Sequence, residues 1–431
     1  MELFIALSLI ALLFIILGSS LWIGLSLLGV AVFAMDVFTQ RPAGDAMALT
    51  VWGSTSSWTL TALPLFLWMG EILFRSKLAE GLFAGLAPWL NKVPGRLLHT
   101  NVIGCGIFAA VSGSSAATCA TIGKITLPEL KKRGYPDDIA IGTLAGSGTL
   151  GLLIPPSIIM IVYGVAANVS IAKLFIAGVV PGILLGLLFS GYIVYWALRN
   201  ASQIPAADRG MSFLQKVAAG KNLIPVVLLI VIVLGSIYSG VATATEAAAL
   251  GVAGSLILSA IERTLTWNSF KAGLIAACRV YCMIGLILAG AAFLTLAMGF
   301  IGLPRQVAEL IGSLNLSPFG LILLLTVFFV LLGCFLDGIS MVVLTMAVLL
   351  PTVEKAGFDL IWFGIYIVLV VEMAQITPPV GFNLFVLQGL TKRQLPYLAK
   401  TALPCFFIMC AAVLLVYAFP QLVLWLPQNM Q

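Results

Sequence analysis

The sequence predicts an all-α polytopic membrane protein with two inverted repeats, each holding a re-entrant hairpin and a helix broken at Pro-Pro. Three observations lead there. A pattern of prolines and glycines occurs twice: Pro128, Gly134, Pro155, Pro156 and Pro181 recur as Pro351, Gly357, Pro378, Pro379 and Pro404, each displaced by 223 residues. Five matches in one ungapped register exceed chance, even among 20 prolines and 42 glycines. The 431-residue chain is 61% hydrophobic and only 9% charged, with mean hydropathy +1.15; a soluble domain carries about 25% charged residues. Apolar runs of spanning length recur at Ile139–Val162, Leu174–Leu198, Leu223–Ser239, Leu274–Phe300 and Leu360–Leu390.

Residues 1–91 are expected to be N-terminal scaffold helices and a surface helix. The stretch Leu3–Phe38 has no basic leader and reads as a spanning helix or pair. Glu71, Arg75 and Lys77 flank a helix end at the membrane interface. Leu78–Leu90, between basic residues, reads as an amphipathic helix on the cytoplasmic surface.

The first repeat occupies residues 92–182. Its apolar segment Leu97–Leu127 is interrupted by Ser112-Gly113-Ser114-Ser115-Ala116-Ala117-Thr118. Basic residues at both ends, Lys92 and Arg96 before it and Lys131, Lys132 and Arg133 after it, place both ends on one side of the membrane. A re-entrant hairpin with the Ser/Gly run at its tip satisfies that count; a simple helix with a small-residue packing face is the alternative. Next comes Ile139–Val162, broken at Leu153–Ser157. Proline has no N–H for the carbonyl four residues earlier, so Pro155 and Pro156 free the carbonyls of Gly151 and Leu152.

Residues 183–317 are expected to be scaffold and arm helices. Leu223–Ile261 carries no Pro-Pro break and is expected to face the second hairpin near Leu336–Ser340. Glu246, in Thr243-Ala244-Thr245-Glu246, reads as a helix cap. Arg279, near a cytoplasmic helix end, reads as a snorkelling side chain. The second repeat spans 318–404. Its hairpin Leu321–Leu350 turns at Leu336-Asp337-Gly338-Ile339-Ser340, and its helix Leu360–Leu390 is broken at Ile376–Gly381. Pro378 and Pro379 free the carbonyls of Ala374 and Gln375. Residues 405–431 form a C-terminal helix.

Charge fixes the orientation. Lys124 and Lys131–Arg133, then Arg199, Arg209, Lys216 and Lys221, then Arg263 and Lys271, then Lys392, Arg393 and Lys400 all fall on one side, taken as cytoplasmic. Arg305 and Lys355 are the basic residues of the opposite loops. Five crossings separate the repeats, and an odd number inverts one relative to the other. The same distribution accounts for the net charge of +6 without a nucleic-acid partner.

Freed carbonyls with Ser/Thr hydroxyls suit a hard cation such as Na⁺, and half-helix N-termini suit an anion. The candidate Na⁺ ligands are Ser112, Gly113, Ser114, Ser115, Gly151, Leu152, Pro155, Pro156, Ser157, Asp337, Gly338, Ser340, Ala374, Gln375, Thr377, Pro378 and Pro379. The candidate substrate contacts are Ser114, Ser115, Thr118, Ser340, Thr377, Gly381 and Asn383. Asp337 reads as an ion ligand, as a group holding the tip open, or as a hydrogen-bond acceptor for tip amides. Glu372, just before the second break, is a functional candidate because charge at such depth is costly. His99 is the single histidine, which excludes multi-histidine metal sites. The seven cysteines, Cys105, Cys119, Cys278, Cys282, Cys334, Cys405 and Cys410, lie in apolar stretches and read as small buried hydrophobes. No G-x-x-x-x-G-K-[ST] run is present, so an ion gradient must supply the energy.

The runs SGSSAAT (Ser112–Thr118), LIPPSI (Leu153–Ile158), LFIAGVVPG (Leu174–Gly182), ATEAAALG (Ala244–Gly251) and ITPPVGFNLFV (Ile376–Val386) resemble the large membrane subunit of the TRAP (tripartite ATP-independent periplasmic) transporters over nearly the whole chain. The resemblance implies an elevator-type fold, with a transport domain made of the two hairpins and two broken helices. It implies Na⁺-coupled uptake of an organic acid, such as a C4-dicarboxylate or sugar acid, delivered by a periplasmic binding protein. It also implies a separate small membrane subunit and a bacterial inner membrane. A binding-protein-independent Na⁺- or H⁺-coupled carboxylate transporter of related architecture is the alternative. An intramembrane enzyme lacks a catalytic set in this sequence.

Overall fold

The N-terminal apolar stretch folds as two helices, α1 (Glu2–Gly18) and α2 (Ile23–Phe38), the second entered through extended backbone at Trp22. The protein is described here by a computed structural model covering residues 2–19, 21–76, 78–206, 211–306, 309, 316–333, 336–379 and 381–429. Lys77, Arg209, Cys334 and Val380, named above, lie outside the described residues. No strand occurs among the described residues.

Helices α3 (Ala43–Thr55) and α4 (Ala62–Phe74) follow, bent by 53° through a 3-10 turn at Trp58–Thr61. At the end of α4, Arg75 pairs with Glu71 at 3.0 Å. Helix α5 (Leu78–Leu90) has the limits that the sequence predicts; Leu82, Leu86 and Leu90 recur every fourth residue on its buried face, while Trp89 is exposed.

The first repeat forms a helix–turn–helix, α6 (His99–Ser112) and α7 (Ser115–Lys132), joined by Gly113 and Ser114. Its broken helix comprises α8 (Asp137–Gly148), the short α9 (Leu150–Leu153) and α10 (Ile158–Ala166), with a 42° bend at Pro-Pro. The connecting helices are α11 (Ile171–Arg199), α12 (Phe213–Gly220), α13 (Ile224–Tyr238), α14 (Ala244–Ile261) and α15 (Trp267–Ile301). The second repeat has α16 (Pro318–Leu332) and α17 (Gly338–Lys355), then α18 (Leu360–Gln375) and α19 (Phe382–Thr391) across its break. Helices α20 (Leu395–Ala418) and α21 (Gln421–Gln428) close the chain. Among the described residues, four helices are long and apolar enough to cross a membrane, or up to eight if each bent pair counts as one span.

The 223-residue register is visible in the backbone. Gly134 and Gly357 both take left-handed φ, +85° and +82°, just past the ends of α7 and α17, where a side chain would be strained. Pro128 and Pro351 lie inside those helices, and Pro181 and Pro404 inside α11 and α20. The bonds Pro155–Pro156 and Pro378–Pro379 are both cis. Ser114 and Asp337, also 223 apart, are the N-caps of α7 and α17. Thr143 and Tyr366 keep the register as well: Asn101 of α6 donates to Thr143 of α8 at 3.0 Å, and Thr326 of α16 meets Tyr366 of α18 at 2.9 Å.

The broken helices lie at the centre. Every residue of α18 from Trp362 to Gln375 is buried, as are Ile139–Gly148 of α8 and Ile158–Gly164 of α10. Helices apolar all round are those surrounded on every side. Around them, α2 crosses α15 through small residues: a Cβ on Gly290 would lie 2.6 Å from the Gly24 carbonyl oxygen. One expectation is corrected here. Helices α13 and α14 pack on each other, and α14 on α4; it is α15 that lies against α17. Hydropathy does not distinguish one apolar helix from another as a packing partner.

Glu246 makes the predicted capping box with Thr243, and Arg279 is exposed on α15. The six described cysteines are free thiols, three of them buried; Cys278 and Cys282 are exposed on α15 rather than buried, because an apolar run in a membrane protein does not by itself mark a protein-facing side.

Candidate functional site

The first tip is built from hydroxyls and close backbone. Ser112 Oγ lies 2.7 Å from Thr118 Oγ1. Ser114 Oγ accepts the Ala117 N–H at 3.4 Å and so caps α7. Gly113 turns the chain at φ +60°, and a Cβ there would meet the Pro156 carbonyl oxygen at 2.8 Å. The Ile158 N–H donates to the Gly113 carbonyl at 3.3 Å. A Cβ on Gly151 would lie 2.5 Å from Ser115 Cα and 2.6 Å from the Ser114 carbonyl oxygen. Tip 1 therefore rests directly on break 1. Ser157 is buried and caps α10 by accepting the Met160 N–H at 3.4 Å.

At the second tip, both oxygens of Asp337 are engaged. Oδ2 accepts the amides of Ile339 and Ser340 at 3.1 and 3.3 Å, and Oδ1 accepts the Ser340 hydroxyl. A Cβ on Gly338 would lie 2.6 Å from Val371 Cγ1, 2.9 Å from Ile159 Cδ1 and 3.0 Å from Gln375 Nε2. Tip 2 thus closes on α18 and on α10 of the other repeat.

At break 2 the Thr377 amide donates to the Ala374 carbonyl at 3.1 Å, and its hydroxyl to the Met373 carbonyl at 2.7 Å. The carbonyl of Ala374, left by Pro378, is thereby taken up locally. A Cβ on Gly381 would crowd the carbonyl oxygens of Thr377 and Gln375, at 2.8 and 3.0 Å. Asn383, the second residue of α19, is 0% exposed. Among the described residues nothing hydrogen-bonds Glu372 Oε2, Gln375 Oε1 or either amide atom of Asn383. Buried polar atoms are rarely left so, and oxygens of this kind fit a hard cation or the donors of a ligand.

Most of the predicted residues lie where tips and breaks meet, in a largely buried region; Pro378 and Pro379 of break 2 are exposed, and Ser112, Ser114, Asp337 and Thr377 are half-buried. Tip 1 reaches the second repeat at Ser115, whose hydroxyl interacts with the Glu372 carboxyl group. Four helices, α7, α10, α17 and α19, begin there, at Ser114, Ser157, Asp337 and Gly381. Three contacts are absent from the sequence reading. Glu372 Oε1 accepts the Leu152 N–H at 3.1 Å. Gly70 of α4 lies under tip 1, where a Cβ would be 3.2 Å from the Val111 carbonyl oxygen. Arg393 pairs with Asp137 at 2.7 Å on the surface, and that carboxylate pushes the guanidinium pKa further up. An acid in an apolar run flags the first; nothing local flags the others.

These features define a multi-pass helical membrane permease with paired broken helices. Its fold is similar to that of the Alcanivorax borkumensis YdaH transporter crystal structure, with TM-score 0.62 and 13% identity over 86% of this chain and 87% of that one. The chain belongs to the DctM component family of the tripartite ATP-independent periplasmic transporters, whose family model matches residues 8–422. It is 33% identical over 383 residues to the C4-dicarboxylate TRAP transporter large permease protein DctM of Pseudomonas aeruginosa, covering 89% of each chain. It is 32% identical over 410 residues to the isethionate TRAP transporter permease protein DctMQ of Oleidesulfovibrio alaskensis, covering 95% of this chain and 64% of that protein.

Proposed function

We propose that this chain is the large membrane subunit of a bacterial inner-membrane importer that couples uptake of an organic acid anion to Na⁺. The observation that carries the reading is the convergence of four helix N-termini on a buried region that also holds unpartnered side-chain oxygens. Each N-terminus presents about half a positive charge and unpaired N–H groups, which favour an anion. The carbonyls beside the prolines and the oxygens of Gln375 and Asn383 suit Na⁺. Substrates named for relatives, a C4-dicarboxylate and isethionate, are both small anions. Na⁺ in excess of the anion's own charge, two or more for a monoanion such as isethionate and three or more for a dicarboxylate, moves net charge inward, worth ~2.3 kcal/mol per charge per 100 mV.

Length supports re-entrance. Helices α6 and α16 have 14 and 15 residues, roughly 21–22 Å at 1.5 Å per residue. The hydrocarbon layer is about 30 Å thick. The inverted halves then exchange conformations, and the transport domain moves as an elevator against the scaffold. A small membrane subunit and a periplasmic binding protein complete the system.

Uptake by the permease complex in proteoliposomes, with and without the binding protein, tests this. Uptake of the anion that needs both inward Na⁺ and the binding protein is expected. Uptake that proceeds fully without the binding protein makes the chain a stand-alone carboxylate transporter instead.

A further inference from the structure

Glu372 sits one turn before the second break and is 0% exposed. None of the described ion pairs includes it. Its two oxygens are used unequally. Oε1 takes the Leu152 N–H at 3.1 Å, whereas Oε2 has no hydrogen-bond partner among the described residues; the Ser115 hydroxyl interacts with the same carboxyl group. The two donors belong to the opposite repeat and to different parts of it. Leu152 lies in the last turn before break 1, and Ser115 is the first residue of α7, at tip 1.

We infer that Glu372 is a positioning residue: one carboxyl group of the second repeat holds tip 1 and break 1 of the first repeat at a fixed spacing. The inference rests on the Na⁺ reading above and deepens it. A cation site built from backbone carbonyls binds well only while those carbonyls keep their separation. Here that separation is set from outside the repeat, so the first-repeat site is assembled only while α18 is seated. The residue 223 positions earlier, Thr149, turns its hydroxyl back to the Gly146 carbonyl of its own segment at 2.6 Å. The tie therefore runs one way, from the second repeat to the first.

The test measures, in the purified permease complex, the Na⁺ concentration giving half-maximal thermal stabilisation, with K⁺ as control, and the Na⁺ KM for uptake. Glu372→Leu removes the acceptor. It should raise both values about tenfold, equivalent to ~1.4 kcal/mol, as the loss of an ordinary hydrogen bond would. Glu372→Gln keeps an oxygen for the same two donors and should stay within about threefold of wild type, because the tie needs an acceptor and not a charge. Ser115→Ala should fall between, and the Glu372→Leu/Ser115→Ala pair should be no worse than Glu372→Leu alone, since the two changes break one link. A folded Glu372→Leu protein with wild-type Na⁺ dependence overturns the inference. So does Glu372→Gln as impaired as Glu372→Leu, which makes charge the operative property. Should Glu372→Leu not fold, an unshifted Ser115→Ala has the same force. A wild-type protein that Na⁺ does not stabilise removes the Na⁺ reading itself, an outcome distinct from the others.

Discussion

Glycine-to-alanine exchange separates the site from the scaffold sharply. In a helix interior alanine is favoured over glycine by up to about 1 kcal/mol. At Gly235 of α13, a Cβ meets nothing within 4 Å. Gly235→Ala should therefore be neutral or slightly stabilising, with uptake unchanged. At Gly151 of α9, the same methyl group would lie 2.5 Å from Ser115 Cα and 2.6 Å from the Ser114 carbonyl oxygen. Carbon atoms rest best at about 3.5–4.0 Å. Backbone, not a flexible side chain, must give way, and tip 1 and break 1 must part by about 1 Å. Overpacking of this kind costs about 1–3 kcal/mol, partly offset by the helix preference, so the protein should still fold. A shift of ~1 Å at a site can cost about 10²-fold in function.

Gly151→Ala should accordingly keep expression and small-subunit binding while Na⁺-dependent uptake falls about 10- to 100-fold. Initial rates in proteoliposomes at several Na⁺ concentrations, with Gly235→Ala run in parallel, provide the measurement. Wild-type rate and Na⁺ dependence in Gly151→Ala would show that contact between tip 1 and break 1 is irrelevant to transport, and the site would have to lie elsewhere.

Uptake should stop when choline replaces Na⁺ with the proton gradient intact, and an inside-negative potential should stimulate it; full uptake in choline would remove Na⁺ coupling. Alanine at Ser112, Ser157 or Asp337 should abolish uptake without loss of expression, and Asp337→Asn should retain more than Asp337→Ala, because an amide oxygen still caps α17 and lost caps cost about 0.5–2 kcal/mol; wild-type rates in all three alanine variants would count against the site. Arg393→Ala should change stability by less than about 1 kcal/mol and uptake by less than about twofold, since its bridge to Asp137 is solvent-exposed; a large loss would give that surface contact a role its exposure does not suggest. A cysteine pair across the α15–α17 contact should arrest uptake on oxidation and release it on reduction; undiminished uptake through a confirmed crosslink there would rule out sliding of the two domains.

The parts legible in the sequence were those written by backbone chemistry. Pro155 with Pro156, and Pro378 with Pro379, remove two consecutive N–H groups, and both helices break at them. Gly113 and the serine run mark the first tip because a left-handed residue followed by a capping hydroxyl ends one helix and starts another. Boundaries were less sharp. The first hairpin reaches Lys132 rather than Leu127, since Pro128 sits inside α7 without ending it. Contacts between distant segments were not legible. The seating of α17 on α15, the approach of Gly70 to Val111, and the bond from Leu152 to Glu372 depend on how apolar helices of near-equal hydropathy choose partners. That choice lies in side-chain shape, which a repeat register does not encode.

Where the register fails is therefore as informative as where it holds. Ser114 and Asp337 occupy equivalent caps, yet one is neutral and the other an acid. Ser115 corresponds to Gly338, Thr149 to Glu372 and Leu152 to Gln375. In each pair the backbone role is kept while the side-chain chemistry changes. The acids and the amide fall to the second repeat, and the hydroxyls Ser115 and Thr149 to the first. Two identical halves would place like groups symmetrically about the centre and would present both membrane faces with the same site. These exchanges instead make the buried region unequal: Glu372 accepts an N–H from the first repeat, whereas Thr149 bonds the Gly146 carbonyl of its own segment. The difference between the two repeats thus lies in a few side chains at the meeting of tips and breaks, while Gly134 and Gly357, the paired Pro-Pro breaks and the two helix caps keep their register.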